Sequence, residues 1–278
     1  MFGLIPSTLT FLLTLPVAFA PQEAPPMTQP PREPVARPTQ TAEGFLYKTL
    51  TIGAETYAYS VYVPPGYDAK HAWPVILFLH GSGERGDDGF VQTEVGIGTA
   101  IRRHYRWFPA IVVMPQCRKD QTWVGAMSTL ALQCLEQTSR EYNLDPQRVY
   151  LTGLSLGGQG AWFIAANFPG RFAAVVPVCG FAELGESTGL AAKLAERLAK
   201  TPIWYFHGVK DEAVPIAKGR EMVEALKAVG NDIKYTEYPD GTHNVWNRAY
   251  GNAELWRWLF KQRLTPDEVR NVLPPGSR

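Results

Sequence analysis

The sequence predicts an α/β fold built on a mostly parallel sheet, and three observations carry that expectation. Strand-like and helix-like segments alternate from Phe45 onward, the order that places helices over the faces of a parallel sheet. Two strand segments, "WPVILFLHG" and "AIVVMPQ", are continuous apolar runs, as strands buried on both faces are. The composition is 45% hydrophobic and 12% aromatic in 278 residues, enough apolar surface for one core of ordinary domain size.

Taken in order, the chain opens with "MFGLIPSTLTFLLTLPVAFA". This segment has an apolar middle and ends in Ala18-Phe19-Ala20, a small-x-small pattern suited to signal peptidase. It lacks the usual Lys or Arg, and Thr14 and Pro16 interrupt an already short apolar run. Residues 1–20 are therefore expected to be a cleaved signal peptide and not a stable membrane span, which makes the protein secreted or periplasmic. Residues 21–43 are rich in proline and poor in apolar periodicity, the composition of an extended tether. Three cysteines, Cys117, Cys134 and Cys179, fit an exported chain in either of two ways. Cys117 and Cys134, which flank a short segment, form a disulfide, or all three are reduced and buried.

The next segments, "FLYKTLTI" and "TYAYSVYVPP", alternate apolar and polar residues and read as an antiparallel pair at a sheet edge. The two apolar strands follow, then "TLALQCLEQTSREYN" with helical periodicity and "RVYLTG" as a further strand. "GGQGAWFIAANFPGRF" is a helix ended by Pro169-Gly170. Strand and helix then repeat through "FAAVVPVCG", "LAAKLAERLAK", "TPIWYFHG", "IAKGREMVEALKAVG", "IKYTEYP" and "NAELWRWLFKQ". The folded domain is expected over 44–265, with 266–278 as a tail. The connection between "PVCGF" and "TPIWYF" is short, so no large lid domain is expected.

In such a sheet ligands sit at the carboxyl ends of the strands, so the residues just past each strand are the informative ones. After "RVYLT" comes Gly153-Leu154-Ser155-Leu156-Gly157, a G-x-S-x-G turn that can hold a serine in strained geometry above the sheet. The alternative is a serine that only caps the following helix. After "TPIWYF" comes Asp211, after "IKYTEY" comes His243, and after "WPVILFL" comes His80-Gly81-Ser82-Gly83-Glu84-Arg85-Gly86. Acyl transfer asks for these parts. A serine hydroxyl needs a base to take its proton, an imidazole can take and return it, and a carboxylate holds the imidazole in one tautomer. Backbone N–H groups must meet the developing oxyanion. Leu156, the residue after the serine, offers one, and the loop after "ILFLHG" offers the other at Ser82.

The order Ser155, Asp211, His243, with "LHGSGERG", "MPQCRKDQTW", "GLSLGG" and "HGVKDEAVP", resembles the α/β-hydrolase superfamily. Within it the chain resembles the feruloyl and polyhydroxybutyrate depolymerase-like esterases and predicted peptidases, over about Phe45 to Lys261. The resemblance implies an α/β-hydrolase fold, Ser155, Asp211 and His243 as a catalytic triad, and Ser82 and Leu156 as oxyanion donors. It implies a serine esterase working through an acyl-enzyme on a small-molecule or polymer-linked ester. A prolyl-oligopeptidase-like peptidase and a non-catalytic binding protein on the same fold are the alternatives.

Other polar residues have two readings each. Glu84 and Arg85 either orient a polar substrate or brace their loop. Trp123 either stacks on an aromatic or sugar group or packs in the core. His80 and His207 are expected to hydrogen-bond loop backbone. Asp240, the rival to Asp211, sits in a "PDG" turn where aspartate is favoured locally. No cluster has metal-ligand spacing, and Gln159-Gly160-Ala161 stand where a phosphate-binding loop carries its lysine, so no metal or cofactor is expected. A net charge of +1 gives no reason to expect a nucleic-acid partner.

Overall fold

A computed structural model describes residues 42–182 and 189–272. The expected signal peptide and all but the last two residues of the tether lie outside the described residues. Among the described residues eight strands form one sheet: β1 (Gly44–Ile52), β2 (Glu55–Val63), β3 (Trp73–Leu79), β4 (Ile111–Pro115), β5 (Leu144–Leu154), β6 (Ala174–Val178), β7 (Trp204–Gly208) and β8 (Lys234–Tyr238). Their order across the sheet is β1-β2-β4-β3-β5-β6-β7-β8. β1 pairs with β2 antiparallel, from Gly44 opposite Val63 to Ile52 opposite Glu55, and β2 pairs antiparallel with β4. From β4 to β8 all pairings are parallel. The alternating hydropathy of the first two strands thus marks the antiparallel edge, and the apolar runs of β3 and β4 mark the buried centre.

The helices are α1 (Ile97–Arg103), α2 (Ala126–Glu141), α3 (Leu156–Asn167), α4 (Leu190–Leu198), α5 (Ile216–Ala228), α6 (Trp246–Tyr250), α7 (Ala253–Leu259) and α8 (Pro266–Val272). They divide the core in two. On one face Leu130, Leu135, Trp162, Leu194 and Met222, from α2 to α5, pack on Leu77, Leu151 and Val175 of the sheet. On the other, Ile97, Ala249, Leu255 and Leu259, from α1, α6 and α7, pack on Ile76, Phe78 and Val176. Neighbouring strand residues alternate between these clusters because strand side chains point to opposite faces. Residues 266–272 of the expected tail are helical.

The disulfide alternative is corrected. Cys117, Cys134 and Cys179 are all free and buried, so they act as small apolar side chains. Burial pushes the Cys117 thiol up to about 11.

Candidate active site

The sharp turn between β5 and α3 is forced by its neighbours. Ser155 has φ 52° and ψ −116°, a backbone conformation that a residue with a Cβ adopts only under constraint. The constraint is visible on both sides. The Ser155 N–H donates to the Val178 carbonyl at the end of β6 (2.8 Å), and the Ser155 carbonyl accepts from the Gln159 N–H (3.0 Å) to start α3. A Cβ on Gly157 would collide with the Leu79 carbonyl and come 2.6 Å from the His80 carbonyl oxygen. One on Gly153 would strike the Gly157 carbonyl. The glycines let β3, β5 and α3 converge, which lifts Ser155 over the strand ends. The cap reading fails on geometry: Ser155 is the N-cap residue of α3 but makes no side-chain cap hydrogen bond.

Two loops deliver the partners. After β7 and β8 the backbones touch: Lys210 N–H donates to the Gly241 carbonyl (2.8 Å), and a Cβ on Gly208 would come 2.6 Å from Gly241 O. This contact sets Asp211 beside His243. His243 Nδ1 donates to Asp211 Oδ2 at 2.7 Å, and the Ser155 hydroxyl lies 2.8 Å from His243 Nε2. A carboxylate accepts only, so the proton belongs on Nδ1 and Nε2 is free to accept from serine. The Asp211 side chain is fully buried. Its Oδ1 accepts from the N–H groups of Ala213 (2.9 Å) and Val214 (2.8 Å). Four donors thus face this carboxylate when His207, 3.2 Å from Oδ2, is counted, which is how a buried charge is tolerated. The arrangement can take a proton from a hydroxyl as that hydroxyl attacks a carbonyl, and can return it to a leaving group.

Asp240, by contrast, is largely exposed and paired with Arg248 at 2.8 Å. Ser82 opens a single 3-10 turn, Ser82–Glu84, reached through Gly81, whose Cβ position is 3.6 Å from Ser155 Cβ. Leu156 is the first residue of α3, where backbone N–H groups have no partner within the helix. The Ser82–Glu84 loop is pinned from below. His80 is fully buried; its Nδ1 donates to the Gly81 carbonyl (2.6 Å) and its Nε2 accepts from Cys117 N–H (2.9 Å). Burial pushes this imidazole down to about 4, so it is neutral, with both nitrogens used on loop backbone as expected.

Arg85 braces the same loop: Nε donates to the Ser82 carbonyl (3.1 Å) and Nη1 to the Gln121 carbonyl (3.2 Å). Glu84 differs. One carboxyl oxygen is sequestered, 3.9 Å from His80 Nδ1, and burial pushes its carboxyl above the ordinary value. Trp123 is corrected to the core. Its ring is fully buried, its indole N–H donates to the His80 carbonyl (2.9 Å), and a Cβ on Gly160 would strike it. The half-buried aromatic at the site is Trp246, perpendicular to the His243 ring at 5.4 Å between centroids. It stands three residues after His243, one turn along the chain, a spacing that gives it away only once His243 is placed. Cys179, His207 and Asp211 have donor atoms within 4.8 Å of one another. Hydrogen bonds occupy them: the Cys179 thiol donates to the His243 carbonyl at 3.2 Å, and both His207 nitrogens have partners.

Residues 99–254, more than half of the chain, match the phospholipase/carboxylesterase family model. The chain is 31% identical over 144 residues to a bifunctional acetylxylan esterase/xylanase of Neocallimastix patriciarum, covering 51% of this chain and 19% of that one. The crystal structure of a thermostable esterase superposes with a TM-score of 0.69 at 29% identity, over 79% of this chain and 63% of that one. The feruloyl esterase module of Clostridium thermocellum, solved with sinapinate, superposes with a TM-score of 0.62 at 20% identity, over 77% and 87%. At that identity the likeness is one of fold. The fold is that of the α/β-hydrolases. The chain spans about a fifth of the xylan-active relative and under two thirds of the thermostable esterase.

Proposed function

The chain belongs to the phospholipase/carboxylesterase family, and from that premise we propose that it is an exported serine esterase. Ser155 attacks the ester carbonyl while His243 takes its proton, Asp211 holds the imidazole and its charge, and the alcohol leaves with the proton His243 returns. Water then enters by the same route in reverse and releases the acid from the acyl-enzyme. The backbone N–H groups of Ser82 and Leu156 meet the oxyanion, each worth about 3 kcal/mol of transition-state stabilisation. Residues 1–20 direct export, and 44–265 form the catalytic domain.

The observation that carries this reading is the unbroken path from Asp211 Oδ2 through both His243 nitrogens to Ser155 Oγ, at 2.7 and 2.8 Å, ending on a serine at positive φ. The substrate class is an ester on a bulky or polymeric alcohol, in keeping with the short β6–β7 connection and with a relative named for acetylxylan. The test is turnover of p-nitrophenyl acetate and acetylated xylan, with fluorophosphonate labelling. Parent protein should label and turn over, and Ser155→Ala should do neither while keeping its melting temperature. Labelling that persists in Ser155→Ala, or parent protein that neither labels nor hydrolyses any ester offered, refutes the proposal.

A further inference from the structure

We infer that His207 is a positioning residue for Asp211: a second imidazole, on the same carboxylate oxygen as His243, whose N–H fixes the orientation and the charge that the acid presents. The inference rests on the reading of Asp211 as the acid of the triad.

His207 is fully buried on β7, one turn of chain before Asp211. Its Nε2 lies 2.9 Å from the Val214 carbonyl oxygen and 3.2 Å from Asp211 Oδ2. Both neighbours only accept, so Nε2 must carry a proton. Its Nδ1 lies 2.5 Å from the Tyr205 hydroxyl oxygen, which lies 2.7 Å from the Gly180 carbonyl oxygen. Tyrosine has one proton for these two acceptors. With the hydroxyl donating to Gly180 O, Nδ1 must supply its own proton and His207 is an imidazolium; with the hydroxyl donating to Nδ1, His207 is neutral. Burial pushes the imidazole below its ordinary value, which favours the neutral ring. Nε2 is a donor in either arrangement.

Asp211 Oδ2 therefore faces two N–H groups, from His243 at 2.7 Å and from His207 at 3.2 Å, while Oδ1 takes Ala213 and Val214. The turn is closed twice, because the residue whose N–H serves Oδ1 has its carbonyl held by His207. Space for the relay is made by a glycine: a Cβ on Gly219 of α5 would come 2.5 Å from the Tyr205 hydroxyl and 2.6 Å from His207 Nδ1. At the far end Gly180, whose carbonyl oxygen lies 2.7 Å from the Tyr205 hydroxyl, packs against Gly158 in the first turn of α3.

The chemical consequence has a sign. A donor on Oδ2 draws charge from the oxygen that holds His243 Nδ1–H, so it weakens the stabilisation of the His243 imidazolium. Removing it should make that imidazolium more stable, and activity should then fail at higher pH on the acid side. The other titratable groups around the pair are Tyr205, Cys179 beyond β6, and Tyr235 and Glu237 on β8. Burial pushes Cys179 up to about 12 and both tyrosines well up. Arg220, bidentate to Glu237 at 2.7 Å, holds that carboxyl down. None of these four titrates near neutral pH.

The experiment compares His207→Leu, which removes the donor, with His207→Gln, whose amide nitrogen reaches the Nε2 position. Each is read on p-nitrophenyl acetate across pH, beside Ser155→Ala. The Leu variant should lose about 10- to 100-fold in kcat with KM unchanged, by analogy with the scale for hydrogen-bond partners of metal-bound histidines. Its acid limb in kcat/KM should move to higher pH, and the Gln variant should restore both. An acid limb that stays put in the Leu variant, or a loss that Gln does not recover, overturns the inference, as a merely structural role would give those results. Histidine ¹⁵N spectra of the parent protein need no variant to fold: His207 should carry its proton on Nε2 and not titrate with His243. A ring protonated on Nδ1 alone overturns the inference. Full activity in Ser155→Ala would instead remove the triad reading beneath it.

Discussion

Replacing Gly157 by alanine adds one methyl group where the fold has no room. The new Cβ would overlap the Leu79 carbonyl and lie 2.6 Å from the His80 carbonyl oxygen, and every atom it meets is backbone. A flexible side chain would swing away from such a contact; the end of β3 cannot, because β3 is hydrogen-bonded between β4 and β5. Relief must come from moving the start of α3. Overpacking of this kind costs typically about 1–3 kcal/mol, and a clash of backbone with backbone belongs at the top of that range. For a domain of this size about 3 kcal/mol lowers Tm by roughly 6–12 °C. The same movement shifts the Leu156 N–H and Ser155 Oγ, and about 1 Å of misplacement is worth on the order of 100-fold in rate. Gly83→Ala is the control, since a Cβ there meets nothing within 4 Å; it should stay within about 0.5 kcal/mol of the parent. Thermal unfolding gives the first number, and turnover per folded molecule, counted by titrating the serine, gives the second. A Gly157→Ala protein with Tm and turnover indistinguishable from those of Gly83→Ala would refute the account of why glycines surround the serine.

Two further outcomes follow from strain and burial. Ser155→Gly removes the proposed nucleophile and the strain of a Cβ at φ 52°; strain of about 1–3 kcal/mol is relieved against up to about 1 kcal/mol of extra chain entropy. The variant should be inactive with Tm raised by a few degrees, and a marked fall in Tm would count against strain at the turn. His80 is buried and neutral, with its imidazole pushed down to about 4 against about 6.5 when unfolded. The unfolded chain therefore binds the proton first, and stability falls as pH drops from about 6.5 to about 4, by up to about 3 kcal/mol from this residue alone. Denaturant midpoints at intervals across that window should fall more steeply for the parent than for His80→Asn; equal slopes would show that His80 is not a source of the loss.

The parts of the site that can be read from residue order are those fixed by the main chain. A strand that ends in G-x-S-x-G must turn sharply, and a parallel sheet must put its strand ends on one side, so Ser155, Asp211 and His243 could be brought together from the order of segments alone. The choice of Asp211 over Asp240 also follows from local chemistry: a turn aspartate serves its own turn, and Asp240 is held by Arg248 in the open. Side-chain depth is a different matter. Trp123 lies in the loop beyond β4, at the end of the sheet where ligands sit, and no periodicity distinguishes a tryptophan facing a cleft from one under it. What decides is Gly160, thirty-seven positions away, whose missing side chain leaves the space that the indole fills. The cysteines are ambiguous for a related reason, since a count of three says nothing of whether two sulfurs meet.

His207 shows where the limit lies. Its place before a glycine at a strand end points to a brace on loop backbone, and the bond to Val214 O is such a brace. Yet the same nitrogen stands 3.2 Å from the carboxylate of Asp211, because four residues of turn bring the chain back over its own strand. The two duties cannot be told apart from sequence, since one N–H between two acceptors performs both. They can be told apart by charge: a brace matters equally at every pH, whereas a donor on the proposed acid changes the pH dependence of turnover.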